Sequence, residues 1–334
     1  MIVYNPSRPV IDKFRLDLED QFTLGHQEDE NYIFERVNHI ALDNRGNIYI
    51  LDSKNCQIKV FSHSGRHVNT IGRIGQGPGE FPEEPFGIQI VKDFIYVLFI
   101  NHDRIDKFDL QGTYLKSIKI LPYTGVFYID SKENIFAESA IWDEKGEARR
   151  IAKIKNNKII KEYSSFRRLD LRSDYLMFRS DKGMLVYGRK NEYKFFITDD
   201  KDLNVEVNCE VSPIPYSEEE KREHLKNIEK IPPTWRKDYT LPPFKPFISW
   251  ILIDDFGWIW VVREGVSKDL YFCDIFDSQG RYIYRTSQLS PEFVPKVIKG
   301  EFIYTIYEDD ETGNILIKKF KIKNWPPSSK YYVY

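Results

Sequence analysis

Six copies of one short pattern run through the 334 residues. Each copy holds brief runs of alternating side chains parted by Gly, Asn, Asp or Ser, and most copies stand about 40–50 residues apart. Several of these runs are apolar on both faces, as in a sheet sandwiched between neighbours. Together these observations predict an all-β protein: a six-bladed β-propeller of four-stranded antiparallel blades.

The clearest copy lies in Asn38–Phe81. Its four runs are Asn38–Asp43, Asn47–Asp52, Gln57–Ser62 and His67–Gly72. The link Asp43-Asn44-Arg45-Gly46 suits a hairpin, because Gly takes positive φ freely and Asp or Asn bonds its own backbone. His63-Ser64-Gly65 does the same for the last two runs. The second run returns as Asp93–Val97, Glu133–Ala137, Gly183–Tyr187, Gly257–Val261 and Gly300–Tyr304. A meander that is apolar on both faces must stack on copies of itself.

The sixth copy ends at Ile315–Lys321 without a fourth strand, whereas the N-terminus has one to spare. Ile11–Leu18 leads into Phe22-Thr23-Leu24-Gly25, which matches Asn69-Thr70-Ile71-Gly72. The N-terminal strand is therefore expected to become the outer strand of the last blade and close the ring, leaving no open ends. Met1–Val10 is expected to be an extended lead-in.

The stretches Gly46–Asp52, Asn55 with Ile58 and Phe61, Gly72–Phe81 and Asp254–Val261 resemble the NHL-type, six-bladed β-propeller proteins of bacteria. The resemblance covers nearly the whole chain and is strongest in blades 1, 2 and 5. It implies a fold and little chemistry, since such proteins range from interaction platforms to lyases.

The composition fits one domain over residues 1–334. With 41% hydrophobic and 15% aromatic residues, the chain can fill a ring of double-faced sheets. A net charge of −2, with acids and bases interspersed, argues against a nucleic-acid partner. No run approaches the ~18 apolar residues of a membrane span. Met1–Pro6 has neither the basic start nor the apolar stretch of a leader, which taken literally suits the cytoplasm. The resemblance instead implies an extracytoplasmic home, periplasm or cell envelope, with a leader removed. Cys56, Cys209 and Cys273 fall on three blades, an odd set best read as buried or half-buried free thiols.

Taken in order, His26–Glu35 is an acidic loop without the spacing of an EF-hand. The glycines of Arg73–Glu80 let the chain cross to the next blade; no phosphate-loop lysine or helix follows them. Blade 2 is Phe86–Ile120, and its corner sets His102 beside Asp103, either for acid–base work or as a capped turn. Blade 3 is Val126–Ser164, with Trp142 at a loop tip as a stacking platform or an edge cap. Blade 4 runs from about Asp174 to Val211 and has a basic corner at Arg189-Lys190.

Residues 212–245 form an insertion between blades 4 and 5. Ser217-Glu218-Glu219-Glu220 is a capping box that opens a helix over Glu218–Lys230, with Leu225 and Ile228 as its apolar edge and His224 facing out. A Pro-rich segment with Trp235 and Arg236 follows. The insertion is either a lid over the channel mouth or an edge decoration. Blade 5 (Phe247–Ser287) and blade 6 (about Pro295–Lys323) complete the ring.

Two functions remain. In the first, the protein is a non-catalytic binding module and a monomer. Its loops would display Arg36, Asn38, His39, Trp142, Arg189, Lys190, Trp235, Arg236, Lys245 and Arg263 to a small ligand or a protein partner. In the second, it is a metal-dependent lyase or hydrolase of the NHL-propeller type, needing Ca or Zn on converging Glu, Asp, Asn or His ligands. The first needs no cofactor and is preferred. The six histidines show no paired ligand spacing and no nucleophile motif is present.

Overall fold

Alternation in Ile48-Tyr49-Ile50-Leu51 sends side chains to two different interfaces. Tyr49 and Leu51 pack into a cluster with Phe81, Ile88 and Phe99 of the next blade. Ile48 and Ile50 pack with Leu24, Tyr304 and Ile317 of the blade before. Every blade repeats this division, and among the described residues each seam between blades holds its own apolar cluster. Each large side chain buried in a seam contributes roughly 1.5–3 kcal/mol. The centre of the ring stays open.

The computed structural model describes residues 1–325 apart from 27, 145, 168–174, 180–182, 200–202, 230–240, 242 and 268. Six sheets stand in a circle. The inner strands, in chain order, are Val37–Leu42, Gly87–Val91, Thr124–Ile129, Tyr175–Arg179, Trp250–Ile253 and Val297–Lys299. Each pairs antiparallel with the second strand of its blade.

Aspartates hold the hairpins. Asp43 Oδ1 accepts the N–H groups of Arg45 and Asn47, each at 2.8 Å. Asp130 and Asp254 repeat this at their own turns. Asp254 Oδ2 also accepts the indole N–H groups of Trp260 and Trp325, at 3.0 and 2.7 Å, which pins Trp325, beyond the last strand, to blade 5.

The ring closes at the expected blade and with the expected N-terminal stretch, through its second half. Leu18–Leu24 pairs antiparallel with Ile315–Ile322 as the outer strand of blade 6. At its end, Gly25 has φ +108°, and a Cβ there would stand 2.2 Å from the Ile315 carbonyl oxygen. Its counterpart Gly72, at φ +87°, lies equally tight on the Phe81 ring. The earlier segments add fifth strands. Ile11–Phe14 runs parallel to Tyr282–Thr286 of blade 5, and Ile2–Asn5, expected as a lead-in, runs parallel to Asn204–Cys209 of blade 4. The arm thus covers two outer edges before it closes a third. Asn5 fastens it, donating to Gly280 O and accepting from Tyr282 N, both at 2.9 Å.

The insertion forms the expected helix, Glu218–Glu229. Glu220 N donates to Ser217 Oγ at 3.2 Å and Ser217 N to Glu220 Oε2 at 2.8 Å, a reciprocal capping box. Its docking edge differs from the expected one. Leu225 is 53% exposed, whereas Glu220 is buried and meets Lys245 Nζ at 2.5 Å. His224, expected to face out, packs edge-on against Tyr216. The helix is therefore held by an ion pair and a ring contact.

Candidate functional site

An inner strand starts where the link from the previous blade arrives, so the first residues of all six inner strands ring one end of the channel. The channel that opens there has a cavity of about 1380 Å³, which runs along the inner strands to the turn Asp254–Gly257 at their far end. Its wall is mostly apolar, with Val37, Ile88, Val126, Ile251 and Val297 from five blades among its lining. Phe86, Ser249 and Lys296 share one backbone role. Each donates its N–H to the second-strand residue that its successor pairs with: Leu98, Val262 and Tyr304. Asn38 and Gly125 mark register shifts at the starts of their own strands. Such irregularities re-aim side chains.

Trp250 reaches from blade 5 to blade 6, and its indole N–H donates to Pro295 O at 3.0 Å. Lys296 Nζ sits 3.5 Å from the centre of that ring, a cation–π contact. Desolvation pushes Lys296 down to about 8. No carboxylate partner of this ammonium is found among the described residues. Beside the indole, Ser249 Oγ is buried and has no hydrogen-bond partner among the described residues. On the opposite side of the ring, Phe86 and Tyr123 are 44% and 58% exposed at the channel wall. Tyr123 holds φ +55°, a left-handed conformation that bulky residues seldom adopt and that often marks a constrained site.

The channel receives part of the expected set. Arg36, Asn38, His39 and Lys190 line it. Arg36 is partly committed, pairing with Glu84 and donating from Nε to Ser53 Oγ at 3.0 Å. The His39 imidazole opens into the channel yet is ringed by protein. Desolvation lowers its pKa, against a hydrogen bond with the Ile88 backbone.

The other expected residues lie elsewhere. Trp142 is 60% exposed on a long blade 3 hairpin, outside the channel lining. Arg189 pairs with Glu192. Lys245 is buried in the contact that docks the helix and donates to Gly265 O at 3.1 Å. Arg263 is buried, donating to Phe247 O at 2.9 Å and to Asp274 at 3.3 Å. These two cations are spent inside the protein. Trp235 and Arg236, the core of the expected lid, lie outside the described residues. His102 pairs with Glu83 at 3.3 Å at its corner.

Sequence reasoning missed Ser249, Trp250 and Lys296. Trp250 opens the apolar run Trp-Ile-Leu-Ile and reads as core. Aligning the starts of the inner strands would have set Asn38, Phe86, Ser249 and Lys296 side by side. All three cysteines are free, Cys56 and Cys273 buried and Cys209 half-buried. Among the described residues no three His, Cys, Asp or Glu converge closely enough to hold a metal ion. No described helix is long and apolar enough to cross a membrane.

Comparison with solved structures returns the same architecture. A Bacteroides fragilis protein described as a candidate exported protein aligns over 97% of this chain and 100% of its own, at 14% identity and TM-score 0.60. A DUF4221 family member from Bacteroides vulgatus aligns over 93% and 99%, at 13% identity and TM-score 0.58. Virginiamycin B lyase of Staphylococcus aureus aligns over 92% and 100%, at 11% identity and TM-score 0.47. No curated protein matches the chain. The DUF5128 family, described as 6-bladed beta-propeller, matches residues 27–222. With more than half of its sequence matched and six blades in its fold, the chain belongs to this family of 6-bladed beta-propellers.

Proposed function

We propose that this protein is a non-catalytic binding module that takes a small organic ligand into the mouth of its channel. The observation that carries this reading is the cavity of about 1380 Å³, whose wall is mostly apolar and carries polar and charged groups from several blades. Ligand sites commonly combine those features. The rigid ring holds the inner-strand starts in place, so binding needs no large rearrangement. The NHL-type repeat pattern is compatible with this role. We further place the protein outside the cytoplasm, in periplasm or cell envelope, in keeping with the exported neighbour of the same fold.

The test is titration calorimetry with the neutral aromatic indole and with phenylacetate, on the native protein and on Asn38→Trp. Asn38 is exposed, lines the channel mouth and sits at a register shift, so the larger ring narrows the mouth without entering a seam. Binding of either probe, weakened in Asn38→Trp, is the expected result. Binding of neither, or binding that Asn38→Trp leaves untouched, contradicts the reading.

A further inference from the structure

The two sides of the channel mouth differ in chemistry. The side formed by blades 5 and 6 carries an ammonium, a hydroxyl and an indole within three neighbouring positions of the wall. The side formed by blades 2 and 3 carries two exposed rings, Phe86 and Tyr123. Successive inner strands touch in chain order around the ring, so these pairs of blades face each other across the opening.

Resting on the binding role proposed above, we propose that the site selects an aromatic organic anion. Its carboxylate or phosphate would be held by Lys296 Nζ and, once the covered hydroxyl turns towards the channel, by Ser249 Oγ, and its ring by the apolar wall and the Phe86–Tyr123 side. Lys296 stands over an indole face with no acid partner among the described residues, and an ammonium so placed gains from a bound oxyanion. Among the described residues Ser249 Oγ is a buried donor with nothing to donate to, an arrangement that costs about 1–3 kcal/mol until a partner arrives. Both groups line the same cavity, and Trp250 between them is fixed by its bond to Pro295 O. The lowered pKa of Lys296 still leaves it charged near neutral pH. Of the other cations that line the cavity, Arg36, Arg149 and Lys299 are paired with Glu84, Glu138 and Asp255, and Lys190 lies in the field of Glu264.

The experiment compares phenylacetate with its neutral isostere phenylacetamide, and with phenyl phosphate, by calorimetry at pH 7. The native protein is expected to bind at least one anion about tenfold or more tighter than the amide, as a charged hydrogen bond implies. The tighter of the two anions identifies the oxyanion class. Lys296→Met keeps the apolar stem and should bring anion and amide within about twofold of each other. Ser249→Ala should weaken the anion several-fold and leave the amide unchanged. Equal affinities for anion and amide in the native protein, or a preference that survives Lys296→Met, would overturn the proposal while leaving the channel a binding site. If none of the three binds, the proposal falls together with the binding role.

Discussion

Blade 5 contributes to two desolvated charges that are treated in opposite ways. Asp274, in its third strand, is fully buried, yet it accepts from Tyr193, Tyr282, Arg263 and Arg285. The Lys296 ammonium, over the Trp250 ring of its first strand, has no carboxylate partner among the described residues. The first kind recurs. Lys59, Asp106 and Asp274 each stand two residues before a buried Phe of their third strand: Phe61, Phe108 and Phe276. Lys59 donates to Glu30 O and Ile33 O at 2.8 and 2.6 Å, and Asp106 accepts from Ser117 Oγ at 2.6 Å and from Arg104 at 3.0 Å. Charges in the seams are matched where they stand. The charge in the channel is left for something that arrives from outside.

That contrast is open to direct attack. The largest effect is expected from Asp274→Ala, which strands two guanidinium groups beside buried tyrosines. It should cost about 3–5 kcal/mol in urea unfolding, and a loss below about 1 kcal/mol would mean that the network holds nothing together. Asp106→Ala, with one half-exposed arginine to leave behind, should cost less, about 1–3 kcal/mol.

Lys296→Met should move the other way. Its folded pKa is about 8 against an ordinary 10.5, so between those values the unfolded chain holds the extra proton. Native stability should therefore rise as pH climbs from 8 to 10.5. The substitution should stabilise the protein at pH 7 by about 1–2 kcal/mol, below the ~3 kcal/mol of the full shift because the ammonium keeps some channel solvent. It should also flatten that rise. Destabilisation at pH 7 would show that the lysine has an internal partner. The smallest effect belongs to Trp142→Ala, at a tip outside both regions, where a change within about 0.5 kcal/mol is expected.

Much of the frame was legible before any coordinates. The two-faced alternation of Ile48–Leu51, the Asp43 hairpin and the Ser217–Glu220 box are local devices, and local spacing reveals them. Closure by the N-terminus was legible from the likeness of Thr23-Leu24-Gly25 to Thr70-Ile71-Gly72. That the first half of the same stretch would join another blade was not. Ile11–Phe14 pairs parallel to a strand some 270 residues away, and nothing in its own spacing states that partner. The site was legible only in part. His39 and Asn38 were found because they stood in the clearest repeat. Lys245 and Arg263 were misplaced because residue type alone cannot separate a displayed cation from one enclosed by Glu220 or Asp274. Lys296 follows a proline at the start of the shortest inner strand, where its meaning depends on Trp250 reaching across from the neighbouring blade.

The most direct test is the titration of Lys296 itself, followed by 13Cε NMR of labelled lysine and assigned by the signal that Lys296→Met removes. In the free protein the midpoint should lie near 8. With phenylacetate or phenyl phosphate at saturation it should climb by about one unit or more, since a bound anion favours the charged form. A midpoint at the ordinary 10.5, or one that neither anion moves, would contradict a channel charge kept open for a ligand.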